Sequence, residues 1–306
     1  MTIGTGSAMQ GPTMSARNWA ELLILGLVWG AAFFFGRIAV GELHPLVLVF
    51  LRVVLAAFAL HAFLSLTGRP FRADMRLTGQ LLILALFNNV IPFSLIFTGQ
   101  TELGAGLASV INATTPFWTV IAAQVLTSDE KISANKLAGI GLGVAGATIL
   151  VGPSALAGIG GPAWAKFAVM GATVSYALAA IFARRLRGVA PAHIAAGQLS
   201  CSALMMLPAA LLLMTPDGLM AVSAPVWASV VALALLSTAF AYILYFRIVA
   251  SAGATNASLV TLVVPASAIV LGAVFLGEAP EPFELAGLAL IATGLVTIDG
   301  RLLRRR

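Results

Sequence analysis

Apolar residues fill this chain in blocks of roughly 20, set apart by short stretches that carry Gly, Pro and charge. Wound as a helix, a block of that length crosses about 30 Å of hydrocarbon. Ten such runs can be read, at about 18–40, 45–66, 77–98, 104–126, 135–152, 162–183, 191–214, 226–249, 254–276 and 282–299. The pattern predicts an all-α polytopic membrane protein with ten transmembrane helices. The first run is too long, and too closely followed by a second, to be the apolar core of a signal peptide, and residues 1–17 read as a disordered polar tail. Nothing is left over for a soluble domain.

Composition removes the alternative of a water-soluble fold. The chain is 60% hydrophobic and 9% charged, against about 45–50% and about 25% in ordinary soluble domains. The single cysteine, Cys201, lies inside a run, so no internal disulfide can form. The net charge of +6 is organised by topology. Arg17, Arg69, Arg72, Arg76, Lys131, Lys136, Arg184, Arg185, Arg187, Arg247, Arg301, Arg304, Arg305 and Arg306 all fall on one side, 14 of the 17 basic residues. Lys and Arg in short loops stay cytoplasmic, so both termini are expected there. No nucleic-acid partner is needed to explain the charge; the basic tail at 300–306 suits anionic lipid.

The chain also repeats itself at a shift of about 146–149 residues. HPLVLVFLR from His44 lies over APAHIAAGQ from Ala190, pairing Arg52 with Gln198. GAGLASVINATTP from Gly104 lies over GATNASLVTLVVP from Gly253, pairing Ser109 with Ser258, Asn112 with Thr261 and Pro116 with Pro265. Asp129 falls on Glu278, and LAGIGLGVAG from Leu137 on LAGLALIATG from Leu285. Four matches in one order define repeat 1 at 18–152 and repeat 2 at 162–299, joined by a linker at 153–161. Each half has an odd number of spans, so the second enters the membrane from the opposite side. Such inverted repeats exchange postures to open a central site alternately to either face.

Ionisable groups inside the membrane are costly and therefore candidates for function. Arg52 lies about two turns into the second span; it either needs a partner or water there, or snorkels to the headgroups. His61, near the other end of that helix, reads as structural or interfacial, and Glu21 as a carboxylate suited to a helix N-terminus. No Asp or Glu lies mid-span, which argues against ion coupling through a buried carboxylate. Uncharged polar groups are better organised. NNVIP sets Asn88 and Asn89 just before Pro92, whose missing N–H frees carbonyls. The eighth span supplies Ser237, Thr238, Tyr242 and Tyr245, the last three on one helical face. Ser109, Asn112 and Thr115 or Pro116 form a stripe in the fourth span, and Ser258, Thr261 and Pro265 repeat it in the ninth. Trp29 and Tyr176 correspond across the repeat and fall mid-span. The expected substrate-binding set is Trp29, Asn88, Asn89, Asn112, Thr115, Tyr176, Tyr242, Tyr245, Ser258 and Thr261, with Pro92, Pro116 and Pro265 as hinges.

The fifth and tenth spans are nearly free of polar side chains and rich in glycine, which suits close helix packing away from the substrate. GLGVAG at 141–146 matches a dinucleotide fingerprint only in letters, because it lacks a preceding strand and a following acid. His44, His61 and His193 have no zinc-ligand spacing, no nucleophile constellation appears, and neither metal, cofactor nor catalysis is expected. The triplets at Asn112 and Asn256 read as chance glycosylation matches.

Three stretches carry a family resemblance: VWGAAFFFGRIA at 28–39, HPLVLVFLRVVLAA at 44–57, and LGAGLASVINATTPFWTVIAAQVLTSDEKIS at 103–133 with its repeat ending in LGEAPEPFELAGLALIATG at 276–294. Through them the chain resembles the drug/metabolite transporter superfamily, specifically its ten-helix members with two EamA-type repeats, and among these the YddG-type amino-acid exporters. The resemblance implies a bacterial inner-membrane exporter of amino acids, aromatic ones included, or of related small metabolites or toxic cations. It further implies a cavity bounded by helices 1, 3, 4, 6, 8 and 9, with helices 5 and 10 peripheral. A multidrug or sugar-metabolite carrier on the same fold is the alternative, and a non-transporting scaffold a more remote one. The expected partners are a small-molecule substrate and the bilayer, with the chain a monomer or weak homodimer.

Overall fold

The computed structural model describes residues 14–128, 132–157, 162–267 and 282–299, and every regular element among them is helical. The chain runs through α1 (Ala16–Ala39), α2 (Pro45–Leu66), α3 (Met75–Gln100), α4 (Ala105–Leu126) and α5 (Ala134–Ala157). It continues through α6 (Ala163–Leu186), α7 (Pro191–Leu213), α8 (Ala224–Ala252), α9 (Ala254–Ser267) and α10 (Pro282–Asp299). Among the described residues, α1 to α4 and α6 to α8 are each long and apolar enough to cross a membrane. The fifth helix continues to Ala157, past the expected start of the linker at 153. The expected tail at 1–17 up to residue 13, the linker from 158 to 161, the Asp129 and Glu278 match and the basic tail at 300–306 lie outside the described residues.

Helix starts follow local chemistry. Ser15 and Asn18 form a capping box on α1, Asp74 caps α3, and Pro45 and Pro191 open α2 and α7 where a missing N–H costs nothing. A single residue, Gly253, joins α8 to α9 at φ 87°, a conformation that a side chain would strain. Phe34, Phe58, Phe63 and Phe167 are exposed on the outer surface, as lipid-facing helices require.

Helix pairing reveals the symmetry. α2 packs on α7 and α5 on α10, each helix against its own repeat counterpart, while α3 packs on α6 as α8 packs on α1. The α5–α10 contact is built on glycine. A Cβ at Gly139 would stand 2.6 Å from the Gly294 carbonyl oxygen, and one at Gly146 would stand 2.7 Å from that of Gly287. Gly139 corresponds to Gly287 and Gly146 to Gly294, so the two contacts are images of one another under a pseudo-two-fold axis. Small residues let the two backbones approach where lipid provides no hydrophobic drive.

This packing gives a test with its own control. Gly139→Ala forces a methyl into the facing backbone, and overpacking of that kind costs about 1–3 kcal/mol. Gly141, on the same helix, has no atom within 4 Å of an added Cβ. Thermal unfolding in detergent is expected to show a lowered Tm for Gly139→Ala and an unchanged or raised one for Gly141→Ala. Equal Tm values for both variants would remove the glycine contact as a stabilising feature.

Candidate substrate-binding site

The site grows out of two interruptions in helix geometry. α3 widens to a π-helix at Leu86–Val90, and α8 does so at Leu235–Phe240. The first five positions correspond at a shift of 149, so the irregularity belongs to the repeat; Pro92 explains only the copy in α3. A π-turn and a proline both leave backbone carbonyls without their usual partners, and in a membrane interior those carbonyls must be satisfied by other parts of the protein. Ser175 Oγ donates to the Phe87 carbonyl at 2.7 Å. The Tyr242 hydroxyl donates to Asn89 Oδ1 and lies 3.1 Å from the Asn88 carbonyl oxygen. In the other repeat the Ser237 carbonyl accepts from Trp29 Nε1 at 3.1 Å and from Arg52 Nη2 at 3.2 Å, while Ser237 Oγ donates to the Val28 carbonyl at 3.0 Å. Each π-segment is therefore held mainly by side chains of the opposite repeat.

α2 and α7 extend the pattern. Arg52 Nε donates to Thr238 Oγ1 at 2.6 Å, and Thr238 passes its own proton to the Leu233 carbonyl. At the equivalent place Gln198 Oε1 accepts from Asn88 Nδ2 at 3.1 Å, and Ser202 Oγ from Asn89 Nδ2 at 2.8 Å. The structure thus gives Arg52 a partner and a buried position, 6% exposed, so it does not snorkel.

Between these helices lies a cavity of about 70 Å³. Of the expected substrate-binding residues, Trp29, Asn88, Asn112, Thr115, Tyr176, Tyr242, Tyr245, Ser258 and Thr261 line it. Asn89 does not. It is fully buried against Ser202 and Tyr242, because the π-turn shifts the angular phase of α3 and sends neighbouring asparagines to different surroundings. Trp29 stands edge-on to Tyr242 and at a tilt to Tyr245, with ring centroids 6.4 and 5.5 Å apart. The hydroxyls of Thr115, Ser258 and Thr261 each donate to the carbonyl three residues earlier, so they offer the cavity lone pairs. Phe93, Ile96, Phe97 and Gln100 also line it and were not anticipated. Their i, i+3, i+4, i+7 spacing on one face of α3 ending in a glutamine was the available signal.

The expected hinges sit at three kinds of break. Pro92 follows the π-segment of α3. Pro116 lies in the first turn of the second piece of α4, which stops at Asn112 and resumes at Thr115. Pro265 is buried in α9 beyond a turn at Leu259.

Cross-repeat clasps lie at both ends of the bundle. At one end Glu21 pairs with Arg247 at 2.7 Å as well as with Arg17 at 3.0 Å, so its carboxylate does more than cap a helix, and Asn18 Nδ2 donates to Ser251 Oγ. At the other, the Glu42 carboxylate accepts the Ser223 backbone N–H and hydroxyl, both at 2.7 Å. His61 sits on Ser200 and against Phe71, away from the cavity.

Two inverted halves enclosing a cavity of rings and a few polar groups at their interface are the build of a membrane transporter. The chain belongs to the EamA-like transporter family, whose model matches residues 19–152 and 163–298, within the drug/metabolite transporter superfamily. It is 27% identical to an amino-acid metabolite efflux pump, named as probable, from Salmonella typhimurium, over 95% of this chain and 98% of that one. A terminal-alkyne amino-acid exporter, also named as probable, from Streptantibioticus cattleyicolor is 26% identical over 96% of both chains. The uncharacterized inner membrane transporter YedA of Escherichia coli is 27% identical over 92% of this chain and 90% of its own. A solved crystal structure superposes over 96% of this chain with a TM-score of 0.71 at 20% identity, so the fold is shared.

Two measurements test this geometry. Tyr242→Phe leaves the Asn89 amide oxygen and Asn88 carbonyl without that donor, a loss of about 1–3 kcal/mol. A lowered Tm is expected, and an unchanged one would show that the hydroxyl does not hold the π-segment. The Ser223 donors hold the Glu42 pKa below the ordinary carboxylate range. A depressed carboxylate contributes stability above its ordinary pKa of about 4.3, and that contribution disappears as pH falls through the lowered value. Wild type should therefore lose Tm relative to Glu42→Gln as pH drops below about 4, and parallel curves would show that the clasp is idle.

Proposed function

We propose that this transporter exports amino acids, aromatic and other neutral ones, or closely related metabolites, across a bacterial inner membrane with both termini cytoplasmic. One observation carries the reading. A single cavity receives aromatic rings and polar groups from both repeats: Trp29, Asn88, Asn112 and Thr115 from the first, Tyr176, Tyr242, Tyr245, Ser258 and Thr261 from the second. Rings offer flat apolar surface to a side chain, and the polar groups engage the amino-acid backbone. The amino-acid cargoes in the names of two full-length relatives support the same class. Transport proceeds by rocking the repeats about the cavity, with the clasps at Glu21–Arg247 and Glu42–Ser223 opening in turn and the chain bending at Pro92, Pro116 and Pro265.

Counterflow of labelled amino acids in proteoliposomes tests the cargo. Exchange of at least one neutral amino acid is expected; flux of a quaternary ammonium compound with no amino-acid flux would overturn the reading. Pro116→Ala and Pro265→Ala are expected to slow turnover several-fold while leaving substrate affinity nearly unchanged, as loss of a hinge should. Unchanged turnover in both variants would remove the hinge roles.

A further inference from the structure

Arg52 is a fixed cation at the cavity wall with no carboxylate ion-paired to it among the described residues. It is 6% exposed, and its guanidinium carbon stands 3.7 Å above the Phe93 ring centroid and 5.6 Å from that of Phe97. Its protein hydrogen bonds use Nε and Nη2 only. Nη1 makes no hydrogen bond among the described residues and is not among the fully sealed polar atoms, and the residue lines the cavity. Buried charge is normally paired, and the membrane interior raises the cost of leaving it alone.

The repeat supplies an internal control. Gln198, the counterpart of Arg52, reaches the opposite π-segment with a neutral amide, accepting from Asn88 Nδ2 where Arg52 donates, and takes no part in the cavity wall. Bridging to a π-segment therefore needs no charge, and the charge of Arg52 serves something else. Asn112 and Gln100 line the cavity too, but their amide oxygens are sealed from it and have no donor among the described residues.

We propose that Arg52 is the anion subsite of the cavity: cargo binds with a carboxylate on Nη1. A planar guanidinium presents its donors to a carboxylate in matched geometry. This rests on the amino-acid reading and sharpens it, because it requires an anionic group on every cargo and disfavours purely cationic compounds.

Thermal-shift and scintillation-proximity binding to the purified full chain provide the test. The probes are L-phenylalanine, L-leucine, their amides, 3-phenylpropanoate and tetraphenylphosphonium. For wild type, carboxylate probes are expected to bind at least ~10-fold more tightly than the matching amides, the loss that follows from removing one charge-assisted contact. Arg52→Gln should abolish the difference between acid and amide, and Arg52→Lys should restore part of it. Equal binding of acid and amide by wild type, an acid preference that survives Arg52→Gln, or no binding of any carboxylate probe overturns the proposal. The acid and amide comparison in wild type holds even if a variant fails to fold. If 3-phenylpropanoate binding depends on Arg52 but no amino acid is transported, the anion subsite stands and the amino-acid reading falls. Amino-acid transport with undiminished affinity in Arg52→Gln sinks the subsite and leaves the reading in place.

Discussion

Inside hydrocarbon a backbone carbonyl cannot borrow water, and this protein is arranged around that constraint. The π-segments of α3 and α8 give up regular hydrogen bonding at the centre of each repeat. Ser175 and Tyr242 answer for α3, and Trp29 and Arg52 for α8. Because all four of these donors approach the irregular segment from the opposite repeat, the halves are interlocked through polar bonds where lipid provides little drive for association. The same bonds place rings and amides around a common space, so the cavity follows from satisfying the backbone.

The periphery answers a different need. α5 and α10 bring backbones together through Gly139, Gly146, Gly287 and Gly294, and they contribute nothing to the cavity wall among the described residues. The ends of the bundle are held more lightly, by an ion pair at Glu21 and Arg247 and by the exposed Glu42 and Ser223.

Symmetry also shows where the protein departs from itself. Arg52 and Gln198 occupy equivalent positions and each reach the opposite π-segment, yet one carries a charge and the other does not. A cavity assembled from two similar halves is thereby made asymmetric, with a cation at the wall on one side only.

The sequence by itself determined the solvent, the spans and the repeat, because each depends on one-dimensional quantities: the length of an apolar run against the thickness of hydrocarbon, and matched positions at a constant shift. It also indicated half of the cavity wall, since polar residues on the faces of α4, α8 and α9 had no other use in a membrane. Only the tertiary structure decided that Asn88 faces the cavity while Asn89 turns to Ser202, that Phe93, Phe97 and Gln100 belong to the wall, and that Arg52 meets Thr238. The reason is angular and long-range. A π-turn shifts the phase by which a helical face is read, and the partners that settle each side chain lie in the other repeat, as with Arg52 and Thr238 at 186 residues of separation.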